Sequence, residues 1–284
     1  MQIVFSKIKL YWPLIKSLQT GLLVATGMAG YMSARCPVSN LATMAGLFIS
    51  LIASISGSTI LNMWWDRDID ARMGRTQKRP LASGKINSGE AFRVGLALSG
   101  LGVGIAMAMD VLYGLIILAG LFFDVVVYTI WLKRRTCWSI VCGGISGGMP
   151  ILAGRALGVG ELDWIGFLLA LSILLWIPTH ILTFSMRYSE DYRNADVPTF
   201  PSTYGFGFTR ATIAISSILA ALAMSLAAWE IGLEWGFLRL LGVLSFGLLG
   251  LALSMIFRPT ERVNYGLFKY ASVYMLAAML LMMI

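Results

Sequence analysis

An acidic cluster follows an apolar run, about residues 44–63, in this 284-residue chain. Asn62, Asp66 and Asp70 recur every four residues, so a helix through them would place all three on one face, with Asp68 pointing away. Carboxylate and amide oxygens suit Mg²⁺, which leaves its remaining positions to water and substrate phosphates. The spacing therefore favours a magnesium site over the alternative, a salt-bridged loop at a membrane edge.

Basic residues follow this acidic cluster directly. They are Arg72, Arg75, Lys78, Arg79 and Lys85. Guanidinium and ammonium groups are the side chains that bind phosphate oxygens most strongly. Carboxylates for a metal beside cations for phosphate indicate a diphosphate site.

A second acidic cluster, Glu190, Asp191 and Asp196, follows another apolar run, with Tyr192 and Arg193 among its acids. Two carboxylate clusters repel each other at low effective dielectric unless cations lie between them. If the two clusters meet, they predict a shared metal and diphosphate. The five-residue step from Asp191 to Asp196 does not match one face of a regular helix, so the metal-binding acids of this cluster stay open.

The composition of the chain places both clusters in a membrane protein. Hydrophobic residues make up 58% of the chain, charged residues 13%, and the mean hydropathy is +0.78. These values exclude an ordinary soluble domain. The apolar runs lack the alternation of barrel strands, and only helices or closed barrels cross lipid. We therefore predict an all-α polytopic membrane protein forming a single domain, residues 1–284, with nine transmembrane helices around a central cavity.

The nine predicted spans are separated by loops of very different length. They cover about residues 18–32, 41–63, 91–109, 112–132, 139–156, 164–186, 209–229, 237–257 and 267–284. Most connections are short. The two long loops, at about 64–90 and 187–208, carry the two acidic clusters.

The distribution of Lys and Arg predicts an orientation. With the N-terminus inside, 19 of the 22 Lys and Arg residues fall on the inner side, and the exceptions are Arg35, Arg155 and Arg239. The positive-inside rule then predicts a multi-pass protein of the cell membrane with a cytoplasmic N-terminus and an external C-terminus. Both acidic loops face the cytoplasm in this arrangement. The same asymmetry explains the net charge of +8 without a nucleic-acid partner.

Three motifs give the chain a resemblance to a known family. They are Asn62-x-x-x-Asp66-x-x-x-Asp70 with its basic tract, the segment Tyr128-Thr-Ile-Trp-Leu-Lys133, and Glu190-Asp191-Tyr192-Arg193. Together they resemble the UbiA superfamily of intramembrane prenyltransferases. Within it, the residues of these motifs are most similar to those of the haem-type farnesyltransferases. The resemblance covers about residues 11–208. It implies a prenyl diphosphate and a lipophilic acceptor as substrates, a lipid bilayer as surroundings, and Mg²⁺ as cofactor.

The resemblance and the chemistry of prenyl transfer together assign roles to the motif residues. Ionisation of an allylic diphosphate releases an anion, so metal ions and cationic donors must stabilise it. The predicted metal ligands are Asn62, Asp66, Asp70, Asp191 and Asp196. The predicted diphosphate contacts are Arg72, Lys133, Arg193, Arg75, Arg79 and Tyr192. The residues predicted to act in catalysis are Asp66, Asp70, Asp191, Tyr128 and Lys133.

Two ionisable residues inside predicted spans, Asp124 and His180, are candidates for contacting the acceptor, since intramembrane ionisable groups are usually functional. A hydrogen-bonded structural role is the alternative for each. The acceptor class stays open between haem b, an aromatic quinone precursor and a glycerol-phosphate lipid. A secondary transporter of an anionic substrate is the alternative function. Most acids lie at helix ends and not near the midplane, which favours the enzyme.

Overall fold

A computed structural model describes residues 10–34 and 40–283 of the chain. Lys7, Lys9 and Arg35, which entered the charge count, lie outside the described residues, as does Ile284 at the end of the last predicted span. Within the described ranges the chain is helical and contains no strand. The predicted all-α membrane fold is confirmed.

Long apolar helices follow one another along the chain, with two short polar helices, the third and the eighth, between them. The helices are α1 Ser17–Ser33, α2 Leu41–Trp65, α3 Arg67–Arg72, α4 Ser88–Met109, α5 Val111–Leu121, α6 Ser139–Val159, α7 Trp164–Arg187, α8 Ser189–Asn194, α9 Phe200–Ile231, α10 Trp235–Phe257 and α11 Glu261–Met282. Helix α5 continues directly into a π-helix, Phe122–Leu132. A short 3₁₀ turn, Trp12–Ile15, precedes α1.

Eight helices of the described chain are long and apolar enough to cross a membrane. They are α2, α4, α5 with its π-helical continuation, α6, α7, α9, α10 and α11. Helix α1 has 17 residues and is shorter than these eight. The first of the nine predicted spans therefore stays a prediction.

Helix α9 begins at Phe200, well before the span predicted from residue 209, and the difference has a local cause. Thr199 and Ser202 form a capping box, and Pro201 lies in the first turn, where its missing N–H leaves no hydrogen bond unmade. Gly205 then breaks the helix with a φ of 78°. The hydropathy pattern located the apolar run after Gly205 and missed the capped turn before it.

Close backbone contacts hold α1 against α6 in the middle of the bundle. A Cβ atom on Gly154 would lie 1.9 Å from the carbonyl oxygen of Gly27, and one on Gly30 would lie 2.1 Å from that of Ile151. Only glycine allows such an approach, as is common between membrane helices. Helix α11 packs against both α7 and α1. These contacts position the ends of α1, α2 and α7, where the candidate site residues lie.

Candidate functional site

The first acidic cluster lies where α2 gives way to the short α3. The backbone N–H of Asp66 donates to Asn62 at 2.9 Å, and that of Asp70 donates to Asp66 at 2.8 Å. These bonds carry the four-residue repeat across the junction although Asp66 itself leaves helical geometry, with φ −87° and ψ 7°. The predicted common face of the three residues therefore survives the break between the two helices.

Asp66 is buried, with 5% of its surface exposed, and its two oxygens have different surroundings. The Lys133 ammonium donates to Oδ2. Oδ1 accepts no hydrogen bond from any described residue, and Nη2 of Arg134 is 3.8 Å from it. Burial disfavours the Lys133 ammonium ion, but the Asp66 carboxylate outweighs this and raises the pKa of Lys133. Lys133 thus stays protonated beside Asp66, and one oxygen of the Asp66 carboxylate is left without a hydrogen-bond donor among the described residues.

Asp70 is buried beside Asp66 but is already paired. Nη1 of Arg79 lies 2.9 Å from Oδ1 and 2.8 Å from Oδ2. The hydroxyl of Thr76 donates to the Asp70 carbonyl oxygen at 2.9 Å, which folds the basic loop back onto the cluster. Arg79 is thereby held inside the site.

Asn62 is fixed by the π-helix. Its Nδ2 donates to Oδ2 of Asp124 at 2.9 Å, and its Oδ1 accepts from the Thr129 hydroxyl at 2.8 Å. The Ser58 hydroxyl also donates to Asp124. Asp124 therefore positions Asn62 below the carboxylates, and its predicted contact with an acceptor stays a prediction.

The π-helical backbone determines which side chains of this segment face α2. Lys133 N–H donates to the carbonyl oxygen of Tyr128, five residues earlier, at 2.8 Å. The Lys133 ammonium lies 5.7 Å from the centroid of the Tyr128 ring. Stretches of π-helix occur often at functional sites because they change the register of one helical face. The wider turn here places Tyr128 and Lys133 together beside Asp66.

The second acidic cluster lies on a separate short helix. Helix α7 ends at Arg187, so His180 lies on α7 and Asp191 lies on the separate helix α8. Helix α8 ends at Asn194, shortly before Pro198, because proline disfavours helical geometry at the residue before it. Asp196 then adopts a left-handed conformation, with φ 55°.

The two acidic loops meet. The Gly74 N–H donates to Oδ1 of Asp191 at 3.2 Å, and Arg72 forms an ion pair with Asp196 at 2.9 Å. Tyr192 packs against a small buried apolar cluster that both loops build from Ile69, Met73, Ala195 and Val197. The second cluster is therefore fixed against the first through both backbone and side-chain contacts.

The predicted diphosphate-binding cations differ in their partners and in their distance from the buried carboxylates. Lys133 and Arg79 are paired with buried carboxylates, while Arg72 is paired with an exposed one. The Arg75 guanidinium lies over the rings of Phe184 and Tyr188 instead. Arg193 is exposed, and its nearest acid is Glu190 at 3.5 Å. Lys133 and Arg79 are thus the predicted cations that lie closest to the buried carboxylates.

One cation at the site was missed by the sequence reasoning, which counted Lys16 only as a charge of the N-terminal tail. Lys16 directly precedes α1 in a left-handed conformation, with φ 44°. Its pKa is lowered to about 8, first by burial and then by the charges of Arg79 and Lys133. A lysine at the start of an apolar helix was the available signal. We call Lys16, Asp66, Asp70, Arg79 and Lys133 the charged cluster.

His180 lies deeper in the bundle, on α7. Its ring is stacked between Trp176 and Phe268, with centroid distances of 5.1 and 4.5 Å. Its Nδ1 is 3.2 Å from the Ser272 hydroxyl of α11. His180 is therefore part of an aromatic contact between α7 and α11, apart from the charged cluster.

The described residues contain no group of three His, Cys, Asp or Glu side chains arranged to hold a metal ion. Asp70 and Asp196 are each paired with an arginine. The unpartnered Oδ1 of Asp66 is a hard anionic ligand that a cation would satisfy, and the carboxylate and amide donors suit Mg²⁺. The chemistry of the donors present therefore fits a magnesium ion.

Known proteins are similar to this chain in sequence. Residues 23–279 match the UbiA prenyltransferase family. The protoheme IX farnesyltransferase of Archaeoglobus fulgidus is 41% identical over 230 residues, which cover 81% of this chain and 80% of that protein. The protoheme IX farnesyltransferase of Desulforudis audaxviator is 35% identical over 281 residues, which cover 97% and 88%.

Solved structures resemble the fold at lower identity. A digeranylgeranylglyceryl phosphate synthase aligns with a TM-score of 0.80 and 19% identity over 98% of both chains. A UbiA homolog from Archaeoglobus fulgidus bound to GPP and Mg²⁺ aligns with a TM-score of 0.73 and 16% identity over 96% of this chain and 99% of that one. At these identities the likeness shows a shared fold.

Proposed function

This chain belongs to the UbiA prenyltransferase family, and we propose that it transfers the farnesyl group of farnesyl diphosphate to protohaem IX. It is a membrane-embedded prenyltransferase. Two relatives named protoheme IX farnesyltransferase, at 41% and 35% identity, support this acceptor. The observation that carries the chemistry is Asp66, a buried carboxylate with one oxygen on Lys133 and the other without a donor.

The charged cluster supplies what an allylic diphosphate needs. Negative charge builds on the leaving diphosphate as the carbon–oxygen bond breaks, and preorganised cations stabilise that charge more than they stabilise the substrate. Lys133 and Arg79 occupy fixed positions on carboxylates, and Lys16 lies in their electrostatic field. In the proposed complex these cations exchange carboxylate oxygens for phosphate oxygens.

We propose Mg²⁺ as the cofactor. Asp66 and Asp191 would hold it, since each has an oxygen that accepts no hydrogen bond from the described residues. Asp70 and Asp196 would be further carboxylate ligands, and Asn62 would contribute its amide oxygen. Bound Mg²⁺ would supply positive charge to the departing diphosphate. Binding of GPP and Mg²⁺ by a protein of the same fold supports this assignment.

The apolar surroundings protect the reactive carbon. An allylic cation reacts with water, so the site must exclude water until π electrons of the acceptor attack it. The charged cluster lies at the ends of apolar helices, and the Tyr128 ring beside Lys133 presents an aromatic face that stabilises a nearby cation. Arg72, Arg75 and Arg193 extend the positive field that attracts the diphosphate, and the Tyr192 hydroxyl is a further hydrogen-bond donor for it.

We propose that the protein lies in the plasma membrane with the charged cluster on the cytoplasmic side. The concentration of Lys and Arg in the two loops that meet there supports this orientation. It places the N-terminus inside and the C-terminus outside. A reporter fused after the C-terminus is expected to be active only outside the cell, and cytoplasmic activity would contradict the orientation.

Product mass spectrometry tests the proposed reaction. Purified protein is incubated with Mg²⁺, with geranyl, farnesyl or geranylgeranyl diphosphate, and with protohaem IX, 4-hydroxybenzoate or a prenylated glycerol phosphate. We expect a farnesyl adduct of protohaem IX that requires Mg²⁺. Products formed only from 4-hydroxybenzoate or the glycerol phosphate would contradict the proposed acceptor. Flux of an anionic substrate into vesicles without any prenylated product would contradict the enzymatic function.

A further inference from the structure

A cleft opens between α7 and α11 beside the second acidic loop. It is lined by Thr183, Phe184, Arg187, Tyr188, Asn264, Tyr265 and Phe268. Two of these residues, Phe184 and Tyr188, lie under the guanidinium group of Arg75 at 4.7 and 5.2 Å. Arg75 follows Gly74, whose N–H donates to Asp191, so Arg75 links the cleft to the second acidic loop.

Two aromatic rings of the cleft have nearly parallel planes, whereas the Phe184 ring is tilted by 39° to Phe268 and by 47° to Tyr188. Tyr265 and Phe268 differ by 11° in plane, with centroids 6.2 Å apart. The series continues inward through Phe268 and His180, at 23°, and His180 and Trp176, at 20°. A flat aromatic ligand stacks favourably on rings in this orientation.

Three cationic side chains, Arg75, Arg187 and Lys269, lie against the rings of the cleft, and only Arg187 forms an ion pair with a carboxylate among the described residues. Arg187 lies 4.2 Å from the centroid of the Tyr265 ring, and its closest acid is the exposed Glu261 at 3.7 Å. Lys269 lies 4.5 Å from the same centroid. Within the described chain, Lys269 and Arg75 contact aromatic rings and form no ion pair. The rim of the cleft is therefore positively charged.

The cleft also contains a buried polar atom without a partner. Asn264 is 6% exposed, and its Nδ2 donates to the Thr183 carbonyl oxygen at 2.9 Å. Its Oδ1 accepts no hydrogen bond from the described residues. Buried acceptors without donors are rare because they lose their bonds to water. A water that donates to both Oδ1 and a bound carboxylate would satisfy this atom.

We propose that the cleft binds the carboxylate side of the prenyl acceptor, with a propionate of protohaem IX on Arg187. This inference rests on the proposed function and adds the residues that orient the acceptor. The cleft is too small for a whole porphyrin, so the ring would lie outside it and only a carboxylate would reach its rim. A guanidinium group binds a carboxylate through two parallel hydrogen bonds, and Glu261 is the exposed partner that the ligand displaces. The porphyrin edge would then stack on the parallel rings and direct its far side towards the diphosphate site.

A binding titration that does not require turnover tests this site. The purified protein is titrated with protohaem IX and with its dimethyl ester, in which both propionates are masked, and binding is followed by the haem absorbance. We expect the wild type to bind the free acid at least about tenfold more tightly than the ester, as for one charged hydrogen-bonded contact. Arg187→Gln should lose that preference and keep the affinity for the ester, and Arg187→Lys should keep part of the preference.

Arg262→Gln is the matched control, since Arg262 is exposed on α11 and does not line the cleft. It should bind both ligands as the wild type does. Comparing acid with ester inside each variant removes differences in folded fraction. A wild type without preference for the acid, or an Arg187→Gln variant that keeps it, would overturn the site. Preference for the acid without farnesyl transfer would support the site and contradict the proposed reaction.

Discussion

Two buried ion pairs lie at opposite ends of the helical bundle and differ in how completely their polar atoms are satisfied. Near the end of α6, Arg155 donates to both oxygens of Asp163 and to the carbonyl oxygen of Ser33, and Asp163 also accepts from the Gly166 N–H. We call this group the Arg155 clamp. At the other end, Asp66 binds Lys133 with one oxygen and leaves the second without a donor.

The difference separates a structural ion pair from a functional one. Every guanidinium nitrogen of Arg155 has a partner, so the clamp joins α1, α6 and the start of α7 and has no capacity for a ligand. The charged cluster holds several cations around carboxylates and leaves a buried acceptor atom open. Burial of unsatisfied polar atoms costs stability, which a ligand recovers when it binds. Substitutions at the two ends should therefore affect different properties.

The largest expected effect is the loss of turnover on removing the open carboxylate. Asp66→Asn should lower kcat by at least about 1,000-fold, because the metal and the developing diphosphate charge lose their central ligand. Steady-state farnesyl transfer measures this. Asp68→Asn is the matched control, since Asp68 pairs with Arg134 at 2.7 Å on the exposed side and should change kcat by less than about threefold. Comparable losses in both variants would remove the distinction between the two carboxylates.

The second effect is a loss of thermodynamic stability without a loss of catalytic activity. Arg155→Leu removes one partner of a buried pair and should lower the free energy of unfolding by about 3 kcal/mol. Thermal unfolding in detergent follows this change, and kcat per folded molecule should stay within about twofold of the wild type. A variant of normal stability with impaired catalysis would show that the clamp takes part in the reaction.

A third, smaller loss of turnover is expected in the second loop. Asp191→Asn should lower kcat by about 100-fold, since Asp191 is one of several metal ligands and its hydrogen bond from Gly74 can persist. Glu190→Gln, at an exposed neighbouring acid, is the comparison and should leave kcat nearly unchanged. Raising the Mg²⁺ concentration should rescue Asp191→Asn partly. Full activity of Asp191→Asn at low Mg²⁺ would exclude the second loop from the metal site.

The smallest effect is a pH dependence confined to the clamp. Burial raises the pKa of Asp163, but the hydrogen bonds from Arg155 and from the Gly166 N–H outweigh it and hold the pKa below its ordinary value of 3.8. A depressed pKa gives stability that is present above the unfolded value and lost as the pH falls through the folded one. The difference in thermal stability between wild type and Asp163→Asn should stay constant from about pH 5 to 8 and shrink below about pH 4. A difference that varies around neutral pH would contradict this assignment.

The sequence alone was sufficient to predict the family, the class of fold and eight of the membrane-spanning helices. Hydropathy and the spacing of acidic residues, which carried these predictions, are local properties of the chain. Long-range contacts were not accessible in the same way. Packing between distant segments determines where the π-helix brings Tyr128 to Lys133. It also determines how the turn before α1 brings Lys16 into the electrostatic field of Arg79. The missing partner of the Asp66 oxygen is visible only in three dimensions.

The contrast between the two ion pairs is tested most directly by ligand-induced stabilisation. Wild type, Asp66→Asn and Arg155→Leu are heated in detergent with and without Mg²⁺ and a non-hydrolysable farnesyl diphosphate analogue. We expect the same upward shift of Tm in the wild type and in Arg155→Leu, although the latter starts lower, and no shift in Asp66→Asn. Equal stabilisation of Asp66→Asn and the wild type would show that the open carboxylate does not hold the metal and diphosphate.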